Sequence, residues 1–230
     1  MEDHSYWTKV QGLDIHYKRL GRGQPIILIH GAANDWHEWT KNLTSLAQSF
    51  QVYALDLPGY GQSQPAGVPV SPAWAASFLN DFMKALDLST AHIVGHSLGG
   101  MVAMVFALDY PEMVNKLVLV NSGGLGNLSR RGQLILQLTS WIKKLQGIGK
   151  NKYLKSTKDD WIFINRLPEI KPKTMVIWGD KDIYLSVSQA KLAHSLIPDC
   201  KLHIFPRCGH APQRESVDEF NNLLCQFLSE

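Results

Sequence analysis

Cysteine is scarce in these 230 residues: Cys200, Cys208 and Cys225 are the only three. An odd number builds no disulfide framework, so they read as reduced thiols of a cytoplasmic protein. The opening residues Met1-Glu2-Asp3-His4-Ser5 have neither the basic start nor the apolar stretch of a secretory signal. No apolar run approaches the length of a bilayer span, so integral membrane association is not expected. Repeats, low-complexity tracts and linker-like segments are missing as well. With 45% hydrophobic residues, one domain over residues 1–230 is the expectation. The net charge is only +3, and it is unevenly spread: residues 125–173 hold eleven Lys and Arg against three Asp and Glu, and the remainder is net acidic. Positive charge confined to one segment argues against nucleic acid as a partner.

What is present is an alternation of short apolar runs and helical patterns. A hairpin is expected from Tyr6-Trp7-Thr8-Lys9-Val10 and Ile15-His16-Tyr17-Lys18 around the turn signal Gln11-Gly12-Leu13-Asp14. Strands are expected near residues 26–29, 52–56, 91–94, 117–120, 174–178 and 201–205. Such alternation predicts an α/β fold, a mostly parallel sheet covered on both faces, with functional groups at the carboxyl ends of the strands. Residues 130–146 read as one amphipathic helix, with Leu134, Leu138, Trp141, Ile142 and Leu145 at helical spacing, followed by a weaker stretch from Tyr153 to Ile164.

Gly95-His96-Ser97-Leu98-Gly99 lies between the apolar run Ala91-His92-Ile93-Val94 and the helical run that starts at Gly100-Met101. A serine on a strand-to-helix turn flanked by glycines is held in a strained conformation with its hydroxyl clear of the sheet. A serine hydroxyl is a weak nucleophile at neutral pH, so a base and an orienting carboxylate are required. His210 follows the strand Lys201-Leu202-His203-Ile204-Phe205 in a loop and is the candidate base. Asp180 and Asp182 follow the strand Thr174-Met175-Val176-Ile177-Trp178 and are the candidate acids.

Taken with His30-Gly31-Ala32, Asp56-Leu57-Pro58-Gly59-Tyr60-Gly61-Gln62-Ser63, Gly95 to Gly100, Trp178-Gly179-Asp180-Lys181-Asp182 and Cys208-Gly209-His210, the chain resembles the α/β-hydrolase superfamily over nearly its whole length. The group it looks most like is the cofactor-free, lid-containing serine hydrolases. The resemblance implies an eight-stranded, mostly parallel sheet with a short helical lid inserted at about 125–172. It also implies the order Ser97, Asp182, His210 for a triad, with Asp180 left as a turn residue. It places the oxyanion amides at Ala32 and Leu98, and it requires no metal or organic cofactor. Serine at position 97, where a carboxylate would attack in dehalogenases and epoxide hydrolases, argues against those two reactions.

Other residues receive quieter readings. His92 and His203 are packed or surface residues, His30 organises the oxyanion loop, and His96 lines the pocket or serves structure. Asp56 fixes a loop through local hydrogen bonds, and Cys208 packs one. Trp36, Met101 and Trp141 are candidate substrate contacts, with Trp39 a core aromatic at a position where relatives carry tryptophan. The expected function is hydrolysis of small carboxylic esters through an acyl-enzyme. Alternatives are carbon–carbon hydrolysis of ring-cleavage diketo acids, for which Arg130, Arg131 or Arg166 would hold the carboxylate, a lyase or thioesterase acting on an acidic metabolite, and a ligand-binding or signalling protein with slow turnover. The short insertion leaves the pocket open or lets a second subunit complete it as a homodimer. Its basic helix is expected to roof the pocket with its apolar face, attraction of an anionic acyl group or membrane surface being the other reading.

Overall fold

The computed structural model describes residues 4–32, 34–68, 70–135 and 162–230. Strands β1 (Ser5–Val10) and β2 (Leu13–Leu20) form an antiparallel hairpin in which Val10 faces Leu13. The turn is therefore just Gln11 and Gly12, with φ of +50° and +80°. Two consecutive left-handed residues match the twist of a tight hairpin, so Leu13 and Asp14 join the strand rather than the turn.

Beyond the hairpin, β3 (Pro25–Ile29), β4 (Gln51–Leu55), β5 (Ala91–His96), β6 (Val114–Val120), β7 (Lys173–Gly179) and β8 (Cys200–Phe205) run parallel. With β2 antiparallel to β4, all eight strands make one sheet in the order β1-β2-β4-β3-β5-β6-β7-β8. The order reverses between β3 and β5, and it is outside the carboxyl ends of strands at such a reversal that α/β sheets bind ligands. β5 is buried along its whole length, as expected of a central strand covered on both faces.

Helices α2 (Pro72–Ala85), α3 (Leu98–Asp109) and α4 (Val187–Leu196) cover one face, and α1 (Thr40–Leu46) and α5 (Val217–Ser229) the other. Residues 99–107 of α3 are all buried, so that helix is apolar all round. α5 buries only Phe220, Asn221, Leu224, Phe227 and Leu228, a single stripe. α2 starts where its sequence says it should: Ser71 accepts the Trp74 amide, and Pro72 occupies the first turn, where its missing N–H costs nothing.

The helix expected from Arg130 does begin there, and residues 130–135 are helical. Its continuation, with Leu138, Trp141, Ile142 and Leu145, and most of the stretch from Tyr153 lie outside the described residues. At the base of this insertion Phe163 N–H donates to Gly124 O at 2.8 Å, and Ser129 N–H donates to Tyr184 O at 2.8 Å. The insertion thus leaves the body and returns to it at one place.

Candidate active site

β5 ends at His96, and Ser97 turns the chain into α3 with φ +52° and ψ −112°. Such a conformation is strained for a residue with a side chain and persists only where its surroundings enforce it. Here they do: Ser97 N–H donates to Val120 O at 3.0 Å, and Ser97 O accepts from Gly123 N at 2.8 Å. A Cβ on Gly95 would overlap the Gly99 carbonyl, and one on Gly99 would overlap the Ile29 carbonyl. Those two glycines let α3 sit directly against β5 and β3.

Serine at a helix N-cap normally turns its hydroxyl back to cap the first amides. Ser97 does not; its side chain makes no cap hydrogen bond. The first amides of α3, Leu98 N–H among them, are therefore left without a side-chain cap or an intrahelical acceptor, at the end of the helix that favours negative charge.

His210 and Asp182 meet at 2.7 Å between Nδ1 and Oδ2. Asp182 is held from three sides: Oδ1 accepts from the Tyr184 and Leu185 amides at 2.7 and 3.1 Å, and Oδ2 accepts from Asn121 Nδ2 at 2.6 Å. Burial opposes ionisation of Asp182, but the His210 hydrogen bond and charge, Asn121 and the Leu185 amide outweigh it and hold the carboxyl below its usual range. Asp180 accepts from the Arg207 amide at 2.7 Å and shapes the loop that leaves β8. It makes no contact with His210, so of the two aspartates the structure brings Asp182 to the histidine.

His210 is tied to the elbow through His96, whose Nε2 donates to the His210 carbonyl at 2.7 Å. Among the described residues no hydrogen bond joins the Ser97 hydroxyl to His210.

His30 is wholly buried, donates from Nδ1 to Gly31 O at 2.8 Å and accepts from Leu57 N at 3.1 Å on Nε2. Burial keeps its pKa below the usual value, against the opposing pull of the Gly31 carbonyl and Glu38. A neutral imidazole thus joins the loop that carries Ala32 to the loop after β4. Asp56 reaches further than local bonds. It accepts from the Trp36 amide at 2.7 Å and the Gln62 amide at 3.0 Å, and it meets His16 Nδ1 at 2.7 Å, so it also anchors β2.

Two residues missed in the sequence belong to this framework. Asn121, with φ +39°, clamps Asp182 while its Oδ1 accepts from the Gly179 amide at 3.2 Å. Glu38, buried at 4% exposure, accepts from the Gly31 amide at 2.6 Å. The only available signal for Asn121 was a polar residue closing an apolar strand, and Glu38 gave none.

Of the three expected substrate contacts, the structure describes Trp36 and Met101. Trp36 stacks on His37 at 3.8 Å between centroids, carries Lys18 Nζ 4.6 Å above its ring and packs toward the α1/α5 core. Met101 is buried within the α2/α3 core, Trp39 is fully buried, and Trp141 lies outside the described residues. Leu98 does line an open pocket of ≈ 370 Å³, counting space open to solvent, with Leu57, Pro58, Tyr60, Val70, Trp74, Ala75, Phe78 and Val102. The side chains that line it are mostly aliphatic and aromatic. Among the described residues no group of three His, Cys, Asp or Glu side chains is arranged to hold a metal, and no helix is long and apolar enough to cross a membrane.

Residues 24–155 match the sequence profile of the family described as the alpha/beta hydrolase fold. The chain belongs to the α/β-hydrolase family. Among α/β-hydrolases it is 30% identical, over 94% of its own length and 91% of the relative's, to a 2-hydroxy-6-oxononadienedioate/2-hydroxy-6-oxononatrienedioate hydrolase of Comamonas testosteroni. It is equally identical, with the same coverage, to a 2-hydroxy-6-oxo-6-phenylhexa-2,4-dienoate hydrolase of Burkholderia cepacia. In fold, this α/β-hydrolase is similar to a carboxylesterase from Bacillus subtilis with a TM-score of 0.85 at 19% identity, covering 99% of this chain and 92% of that one. It is similar to a meta-cleavage product hydrolase from Pseudomonas fluorescens with a TM-score of 0.83 at 24% identity, covering 97% of each.

Proposed function

We propose that the chain is a serine hydrolase of small carboxylic esters. Ser97 Oγ attacks the carbonyl carbon while His210 Nε2 takes its proton, and Asp182 fixes the tautomer and stabilises the imidazolium without accepting the proton. The Ala32 and Leu98 amides hold the tetrahedral oxyanion, an arrangement worth about 3 kcal/mol per donor in the transition state. The carbon–oxygen bond then breaks, the alcohol leaves with the proton from His210, and water activated by the same histidine releases the acid and restores Ser97.

The observation that carries this reading is the elbow itself, where a strained serine leaves its helix N-terminus uncapped beside the His210–Asp182 pair. Leu98 supplies both an oxyanion amide and a wall of the apolar pocket, which favours an apolar acyl or alcohol group. Ester hydrolysis needs nothing further.

Carbon–carbon hydrolysis is the second reading, favoured by the names of the relatives that match along nearly the whole chain. It requires in addition a cationic anchor for the carboxylate of the substrate. Of the arginines considered for that role, Arg166 is engaged with Asp109 and Glu169 at 3.1 Å each, and Arg130 and Arg131 are exposed.

Turnover of p-nitrophenyl esters from acetyl to decanoyl, and of 2-hydroxy-6-oxo-6-phenylhexa-2,4-dienoate, by wild type and Ser97→Ala decides between them. Ester turnover that falls by about 10³-fold or more in the variant is the expected result. A higher kcat/KM on the dienoate moves the reaction to carbon–carbon cleavage. No turnover of either above the variant overturns the hydrolase assignment.

A further inference from the structure

Glu38 and His96 belong to no step of the reaction above, yet they form a buried polar pair directly beneath it. Their side chains are 2% and 4% exposed, and Glu38 Oε1 lies 2.8 Å from His96 Nδ1. That separation is ion-pair distance between two buried side chains. Each partner also faces a different part of the site. Glu38 Oε2 accepts the Gly31 amide at 2.6 Å, one residue before Ala32. His96 Nε2 lies 2.7 Å from the His210 carbonyl, and because a carbonyl only accepts, Nε2 must carry a proton.

That assignment settles how many protons the pair holds. With Nε2 protonated, Nδ1 either bears a second proton toward the carboxylate or opposes it lone pair to lone pair, which no buried pair would sustain. The pair therefore holds a proton between Nδ1 and Glu38 in addition to the one on Nε2. Burial opposes both charges, but the mutual attraction, the Gly31 amide and the His210 carbonyl outweigh it, so Glu38 is held below and His96 above its usual range. Space is equally constrained: a Cβ on Gly31 would stand 2.8 Å from His96 Nδ1. The backbone at Gly31 thus packs closely against the imidazole.

We propose that Glu38 and His96 are positioning residues that set the oxyanion loop, through Gly31, and the base, through the His210 carbonyl, in register with one another. The proposal rests on Ser97 being the nucleophile. Neither residue touches substrate; each acts by fixing backbone that does, and a displacement of about 1 Å at such a site costs on the order of 10²-fold in rate.

The test reads Ser97 directly, through the second-order rate of phosphonylation by a small alkyl fluorophosphonate. That reagent requires the base and the oxyanion amides but not the natural substrate, so the result stands even if esters are not turned over, whereas an unreactive wild type would overturn the nucleophile itself. Glu38→Ala is expected to slow phosphonylation by about 10²-fold and, where esters are substrates, to lower kcat with KM held within about threefold. Glu38→Gln can still accept from Gly31 and donate to a neutral His96 Nδ1, and His96→Gln can still donate to the His210 carbonyl, so both are expected to stay within about tenfold of wild type. Should Glu38→Ala fail to fold, Glu38→Met keeps the side-chain length without its polar atoms and takes its place. A folded Glu38→Ala or Glu38→Met that phosphonylates at the wild-type rate, a loss confined to KM, or a Glu38→Gln as slow as Glu38→Ala would each overturn the proposal.

Discussion

Asn121 stands where β6 ends, a position at which no carboxylate is available, and its amide does two jobs there. Nδ2 holds Asp182 and Oδ1 holds the Gly179 amide, so one side chain links the ends of β6 and β7 to the proposed acid. Asn121→Ala leaves the Gly179 amide without its acceptor and Asp182 with one donor fewer, and we expect a loss of about 1–3 kcal/mol, read by urea unfolding at pH 7. The sign of its pH dependence follows from Asp182. A carboxyl with a depressed folded pKa adds stability above its unfolded pKa and loses it as pH falls through the folded value. Because removing a donor raises the folded value, the difference between wild type and Asn121→Ala should shrink as the pH falls through the carboxylate range. Asn121→Asp places a second carboxylate against Asp182 and should depress kcat/KM more at pH 8 than at pH 5, where one of the two can hold a proton. An equal effect at both pH values would show that Asn121 does not bear on the acid.

At the level of elements, the close contact of α3 with β3 and β5 is the most demanding. Gly99→Ala would drive a methyl group into the Ile29 carbonyl, and backbone cannot yield there without moving the loop that carries Ala32. We expect a cost of about 2–3 kcal/mol, seen as a melting temperature lower by roughly 4–12 °C, and an activity loss larger than the unfolded fraction explains. A variant with unchanged melting temperature would mean that α3 has room to shift. The elements were largely legible in the sequence, because parallel strands buried on both faces are near-continuous apolar runs: β3, β4, β7 and β8 lie within a residue of where the runs put them, and β5 and β6 only extend further. Ser97 directly follows such a run, whereas His210 lies in the loop after β8 and the runs left Asp180 and Asp182 both open, the family resemblance being what selected Asp182. Glu38 and Asn121 were not legible, because what they do depends on which backbone amide packs against them, and no spacing along the chain records that. The contact of Trp36 with Lys18 was hidden in the same way.

For the whole molecule, stability toward acid should be governed in part by histidines buried in neutral form. His92 on β5 packs edge-on to Phe50 at 6.0 Å, and its Nδ1 has no hydrogen-bond partner among the described residues. Burial, helped by the charge of Lys116, pushes its pKa from 6.5 down to about 4. The unfolded chain binds this proton at the higher value and the folded chain only at the lower one, so stability should fall across that window by about 3 kcal/mol. His30 shifts in the same direction. His96 shifts the other way, so what it contributes is fully present below its unfolded pKa and is lost as pH rises through its folded value. His92→Leu should therefore narrow the gap between unfolding free energies measured at pH 7 and pH 4.5. A gap as wide as that of wild type would place the acid sensitivity elsewhere.

The bond between Phe163 N–H and Gly124 O closes the chain on itself at the foot of the insertion. Ser97 precedes that closure in the chain, and Asp182 and His210 follow it, so the residues proposed for the reaction lie on either side of a segment clamped at its foot. A change in the length of chain between Gly124 and Phe163 can therefore leave this clamp, and the residues proposed for the reaction on either side of it, where they stand.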